Sequence, residues 1–179
     1  MRARTMLPAD TRAAVPPLRR REQIMHTLLT VLVTWLSVNY GLSGTLEHPR
    51  IELTPPARMA EVRYSRLQGA MPDRVAAEAG KSAPPELGND VFAIYDDRSR
   101  TIYLPDHWTG ATPAEVSLLV HELVHHLQNM AGEKFDCPGA REKAAYKAQA
   151  GWLELFGKNL ADEFELDPMT LLVRTNCLH

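Results

Sequence analysis

Residues 112–128 read TPAEVSLLVHELVHHLQ, and this stretch decides the fold. Thr112, Pro113 and Glu115 form the pattern of a helix start. A threonine side chain there accepts from the backbone two or three residues on, and the glutamate reaches back to the threonine N–H. Proline at the first helical position gives up an N–H that has no intrahelical partner anyway. Val116, Leu119, Val120, Leu123 and Leu127 then recur at i, i+3, i+4, i+7 and i+11, the stripe of a half-buried helix. Gly132 is a natural stop.

Inside this helix stands His121-Glu122-Leu123-Val124-His125, an H-E-x-x-H pattern. Residues four apart on a helix face the same way, with Cβ atoms about 5–6 Å apart. Two imidazoles so placed can reach one Zn²⁺ at about 2.0–2.1 Å. Glu122 lies beside such an ion rather than on it, where it can take a proton from water. By composition alone the pattern would arise by chance in about 2% of such chains, and a capped amphipathic helix is the context it requires. Two surface histidines without a ligand are the plainer alternative.

A catalytic zinc takes three protein ligands and an open position. No His lies between His126 and His179, so a carboxylate is expected as the third ligand. Glu133, Asp136, Glu142, Glu154, Asp162, Glu163 and Glu165 are the candidates. Glu142 is favoured, 17 residues beyond His125 on the first turn of a helix expected from about Gly139 to Leu160. Its face carries Ala145, Tyr146 and Gln149. Glu154 is the runner-up. Tyr146 is a candidate donor to a developing oxyanion, with helix packing as its plainer role. His126 is expected on the helix surface, or less favourably as a group supporting a metal ligand from behind, and His107-Trp108 in loop packing or on a cleft rim.

Working outward, VFAIY and TIYL over residues 91–104 read as a hairpin with Asp96–Ser99 as its turn. Thr101–Leu104 is expected to be an edge strand able to hold an extended peptide. Residues 50–54 read as a strand and 57–67 as a helix. Residues 69–90 read as a loop with a short helix around 73–79, and Asp167-Pro168 starts a last short helix. Residues 24–40 support two readings. An Arg-rich run followed by apolar residues resembles a signal peptide or membrane anchor. Thr27, Thr30, Thr34 and Ser37, however, recur at helical spacing and leave Leu28, Leu32, Trp35 and Leu36 on another face. The folded-helix reading is preferred, because the run is short for a spanning helix and no A-x-A cleavage site follows.

HELVHHLQ followed by Glu142, Ala145, Tyr146 and Gln149 resembles the gluzincin metallopeptidases, and is similar to their small, minimal bacterial domains. The resemblance implies a zincin-like α+β fold, mostly helical, with a small sheet or hairpin, an H-E-x-x-H helix and a following glutamate helix. It implies Zn²⁺ held by His121, His125 and Glu142, Glu122 as general base, and a peptide or protein substrate. The rival expectations are an inactive zincin-like binding or regulatory module and a membrane-tethered protein with a structural metal site.

The chain has 179 residues, 45% hydrophobic and 23% charged, so it can bury a core of ordinary composition. The net charge of −2 hides an asymmetry. Residues 1–21 hold six Arg against one Asp, while the rest is acidic. Residues 1–23 are therefore expected to be a disordered basic tail and 24–179 one folded domain, with no nucleic-acid role. Cys137 and Cys177 are the only cysteines. A bridge between them is the preferred reading and would imply an oxidising compartment, periplasmic or exported; free thiols would suit the cytoplasm.

Overall fold

The computed structural model describes residues 17–42, 47–55, 57–63 and 93–177. Helix α1 spans Pro17–Tyr40. Strand β1 is Arg50–Thr54, β2 is Ile94–Asp96 and β3 is Thr101–Pro105. Residues 57–63 are helical. Helix α2 spans Pro113–Met130, α3 Pro138–Glu154, α4 Leu160–Phe164 and α5 Pro168–Thr175. The fold is thus α+β, mostly helical with a small sheet. The short helix expected at 73–79 and residues 1–16 of the expected tail lie outside the described residues.

Helix α2 starts as its sequence dictates. Thr112 Oγ1 accepts from the Glu115 N–H at 3.1 Å, and Glu115 accepts from the Thr112 N–H at 3.1 Å. The same carboxylate accepts from the N–H groups of Thr109 and Ala111, so it organises the whole turn before the helix. Burial alone would raise the Glu115 pKa; the hydrogen bonds from Thr109 and Thr112 outweigh it and hold the group below its usual value. Gly132 closes the helix in the left-handed region at φ 66°. The Glu133 N–H then returns to the Gln128 carbonyl and the Gly132 N–H to that of Asn129.

All five residues of the predicted stripe are buried. They meet Leu29, Leu32, Val33 and Leu36 of α1, Tyr95, Ile102 and Leu104 of the sheet, and Ala145 and Ala148 of α3 in one core. Each large aliphatic side chain taken from water here contributes about 1.5–3 kcal/mol. On α1, the hydroxyls of Thr27, Thr30, Thr34 and Ser37 donate to carbonyls four residues back. That satisfies the polar face locally and leaves the opposite face for the core. No helix among the described residues is long and apolar enough to cross a membrane.

Several expectations are corrected. Helix α1 begins at Pro17, so residues 17–23 belong to a helix and not to a disordered tail. The sheet order is β1-β3-β2, with β1 parallel and β2 antiparallel to β3. β3 is therefore the central strand, and Thr101–Leu104 presents no free edge. Its apolar run reflects burial on both faces, which a sequence shares with a half-exposed strand. The turn lies at residues 97–100, one residue later than expected. Helix α3 ends at Glu154 rather than Leu160, because Gly157 takes φ 68° and the Lys158 N–H returns to the Leu153 carbonyl. Leu155 and Phe156 lie beyond that stop and are exposed.

Candidate metal centre

Helices α2 and α3 pack against each other and bring His121, His125 and Glu142 together. His121 Nε2 lies 3.1 Å from one Glu142 carboxylate oxygen, and His125 Nε2 lies 3.3 Å from the other. His125 is buried and Glu142 about one-third exposed. Glu142 is carried in from the first turns of α3 by two ties next to it in sequence. Arg141 forms a two-pronged ion pair with Asp97 of the hairpin turn, at 2.8 and 2.5 Å. The Arg141 carbonyl accepts from Gln128 of α2 at 3.1 Å.

The other nitrogen of each histidine is also held. His121 Nδ1 lies 3.0 Å from Gln149 Oε1, and His125 Nδ1 lies 3.0 Å from Gln128 Oε1. The Gln128 amide cannot be turned round, because its nitrogen donates to a backbone carbonyl, which only accepts. The Gln149 amide nitrogen faces Ser117 Oγ at 3.3 Å. With acceptors at Nδ1, both neutral rings carry their proton there and turn an Nε2 lone pair toward the Glu142 carboxylate. The ligand atoms of the three groups then lie within 4.8 Å of one another. That arrangement could hold a cation; with no ion, a ring that carries a proton on Nε2 donates to Glu142 instead.

The chemistry of the donor set fits a cation. Tetrahedral zinc with ligands at about 2.0–2.1 Å has donor atoms about 3.3 Å apart. The nitrogen-to-oxygen spacings here are 3.1 and 3.3 Å, each to a different carboxylate oxygen, and one ligand atom from each residue lies within 4.8 Å of the others. Without an ion, pairing of the rings with the carboxylate sets the pKa directions. Burial alone would raise the Glu142 pKa, but hydrogen bonds from His121 and His125 hold it well below the usual carboxylate range. Burial alone would lower that of His121, and the hydrogen bond to Glu142 with the charges of Glu122 and Glu142 raises it instead. The three side chains form a set able to hold a metal ion.

Around this set lies a cleft of about 880 Å³. Glu122, nearly buried, and Tyr146 line it. The Tyr146 ring stands edge-on to His121 with centroids 4.7 Å apart, and its hydroxyl accepts from Arg174 at 3.0 Å. Ala93 and Ile94 of the β2 edge also line the cleft, so β2 and not β3 is the strand that borders the site. Glu163 and Glu165 reach the cleft wall but are not in the metal-binding set, and the runner-up Glu154 is exposed outside it.

His126 is not on the surface. It is fully buried, with Nε2 donating to the Glu47 carbonyl at 2.8 Å and Nδ1 accepting from the Tyr95 hydroxyl at 3.1 Å. Burial pushes its pKa down, so it serves as a neutral tie between α2 and the hairpin. Trp108 is buried and donates to the Glu115 carbonyl, which makes it loop packing, while His107 is exposed and outside the cleft. Cys137 and Cys177 are bridged, with Cα atoms 5.7 Å apart. Sequence reasoning missed Gln128 as a holder of His125, although its position three residues on was the available signal. It also missed Arg141, Thr170 and Arg174, for which no local signal exists.

The family model described as Domain of unknown function (DUF6647) matches residues 21–179. The chain belongs to this family. The match contains His121, His125 and Glu142 and reaches from the first turns of α1 past the end of α5. No curated protein and no solved structure matches the chain.

Proposed function

We propose that the protein is a zinc-dependent hydrolase of peptide bonds with a zincin-like arrangement of its site. One observation carries this reading: His121, His125 and Glu142 offer ligand atoms within 4.8 Å of one another, in a cleft that Glu122 also lines. The donor set of two imidazoles and one carboxylate suits zinc and leaves a fourth position free.

A bound zinc ion supplies Lewis acidity toward a water molecule and a carbonyl oxygen. The chain supplies the rest. Glu122, fixed next to His121 on a rigid helix, takes the water's proton and delivers it to the leaving amine. The Tyr146 hydroxyl accepts from Arg174 and keeps its own proton free to donate to a developing oxyanion. Gln128 and Gln149 keep both rings in the tautomer that offers Nε2. Ala93 and Ile94 bring the start of β2 to the cleft wall, where an extended peptide could run alongside it. The Cys137–Cys177 bridge is compatible with work in an oxidising compartment.

The test is metal analysis of purified protein together with cleavage of a peptide library, with and without chelator. Glu122→Gln should keep zinc and lose hydrolysis. Peptidase activity retained in that variant would sink the mechanism.

A further inference from the structure

Helix α5 has no buried residue, yet it is fastened over the cleft. Asp167 caps it by accepting from the N–H groups of Met169 and Thr170. The Cys177 bridge ties its far end to Cys137, the residue that caps α3. The chain at Asn176 also runs against Gly139 of α3, where a Cβ would stand 2.5 Å from the Asn176 carbonyl oxygen. Hydrophobic burial does not account for this placement. What α5 delivers to the cleft is Thr170 and Arg174, four residues apart on one face.

Arg174 is exposed, and its one hydrogen bond among the described residues goes to the Tyr146 hydroxyl, at 3.0 Å. No carboxylate among those residues pairs with it. A guanidinium has five N–H donors in a planar fork suited to a carboxylate, and the Tyr146 bond uses one. Through Tyr146 the guanidinium stands one aromatic ring from His121. Arg63 lines the same cleft. Of the acidic residues in the wall, Glu142 faces the two histidines and Glu163 is paired with Lys158. Glu122 and Glu165 have no cation at ion-pair distance among the described residues and are the groups that would draw an amine instead.

We propose that Arg174, set by Tyr146, recognises a carboxylate of the substrate, so that the cleft takes peptides with a negative charge near the bond presented to His121, Glu122 and His125. This rests on the peptidase reading. The carboxylate is either the peptide's C-terminus or an acidic side chain, and the probes separate the two.

The experiment is binding, so it reads out whether or not the protein cleaves anything. Acetyl-Ala-Ala-Ala acid, its amide, and acetyl-Ala-Glu-Ala amide are titrated calorimetrically into zinc-loaded Glu122→Gln protein and into metal-free protein. At least one carboxylate peptide should bind about tenfold or more tightly than the neutral amide, as expected for a charge-assisted pair. A preference for the acid assigns the C-terminus; a preference for the glutamyl amide assigns the side chain. Adding Arg174→Gln should abolish the preference with zinc content unchanged, and Arg174→Lys should restore part of it. Equal binding of all three peptides would overturn the proposal, as would tighter binding of the neutral amide. So would a preference that survives Arg174→Gln but vanishes on metal removal, which would place the carboxylate on the metal.

Discussion

Gln128 turns its amide carbonyl to His125, with Oε1 3.0 Å from Nδ1, while its amide nitrogen grips the Arg141 carbonyl. One side chain therefore orients a histidine on α2 and anchors the backbone next to Glu142 on α3. Partners of this kind fix ring orientation and raise ligand basicity, and their loss weakens metal binding about 10–100-fold. Gln128→Leu should show that loss in competition with a chromophoric chelator, with the helical circular dichroism retained. An unchanged zinc affinity would mean that α2 alone orients His125.

Glu142 and Glu154 sit at opposite ends of α3, and the geometry distinguishes them sharply. Glu142→Gln should purify with little zinc, and Glu154→Gln with a full complement. Zinc bound to the folded form alone stabilises it by about 4 kcal/mol at a thousandfold excess over Kd. For a domain of this size that corresponds to a rise in Tm of about 10 °C. Chelator should therefore lower the Tm of the native protein by about that much and leave Glu142→Gln unmoved. A full zinc content in Glu142→Gln would remove it from the ligand set.

Much of the centre was legible because it is built on helical periodicity. The capping box, the apolar stripe and the His121–His125 spacing all follow from 3.6 residues per turn, and the structure has each of them. Glu142 was reachable through ligand count. His126 was misread because adjacency on a helix gives a direction and not a depth. Its burial depends on Tyr95 and on the chain at Glu47, far away in sequence. Strand order was misread for a similar reason, since the pairing of β1 with β3 joins residues about fifty apart. Arg174 had no local pattern at all; a disulfide and a cap deliver it.

The α2 start gives an acid-sensitivity prediction. The Glu115 pKa is depressed in the folded chain, so its contribution to stability is complete above the unfolded value of about 4.3. It is lost as pH falls from there through the lower folded value. Glu115→Gln should therefore be less stable than the native protein at pH 7, and the gap should shrink as pH falls through that window. Thr112→Ala removes the other half of the box and should cost about 1 kcal/mol at pH 7. Chemical denaturation at pH 7 and below pH 4 checks both. A gap for Glu115→Gln that widens in acid would show that its charge opposes the fold.

Reduction of the Cys137–Cys177 bridge should act on one end of the molecule. The bridge closes a span of 40 residues, which in the chain-entropy account is worth about 4 kcal/mol against global unfolding. Helix α5 buries no residue fully, so without the bridge it is held by the Arg174–Tyr146 bond, its own Asp167 cap and partly buried packing along α3. Helix α2, by contrast, is fixed by the core and by the hairpin ties of His126 and Asn129. Segments differ in opening free energy, and those with few buried contacts open first. After mild reduction, amide exchange should quicken most over residues 167–177 and remain slower through 116–127. Equal loss of protection in both segments would show that α5 and α2 unfold as one unit, with the bridge stabilising the whole domain.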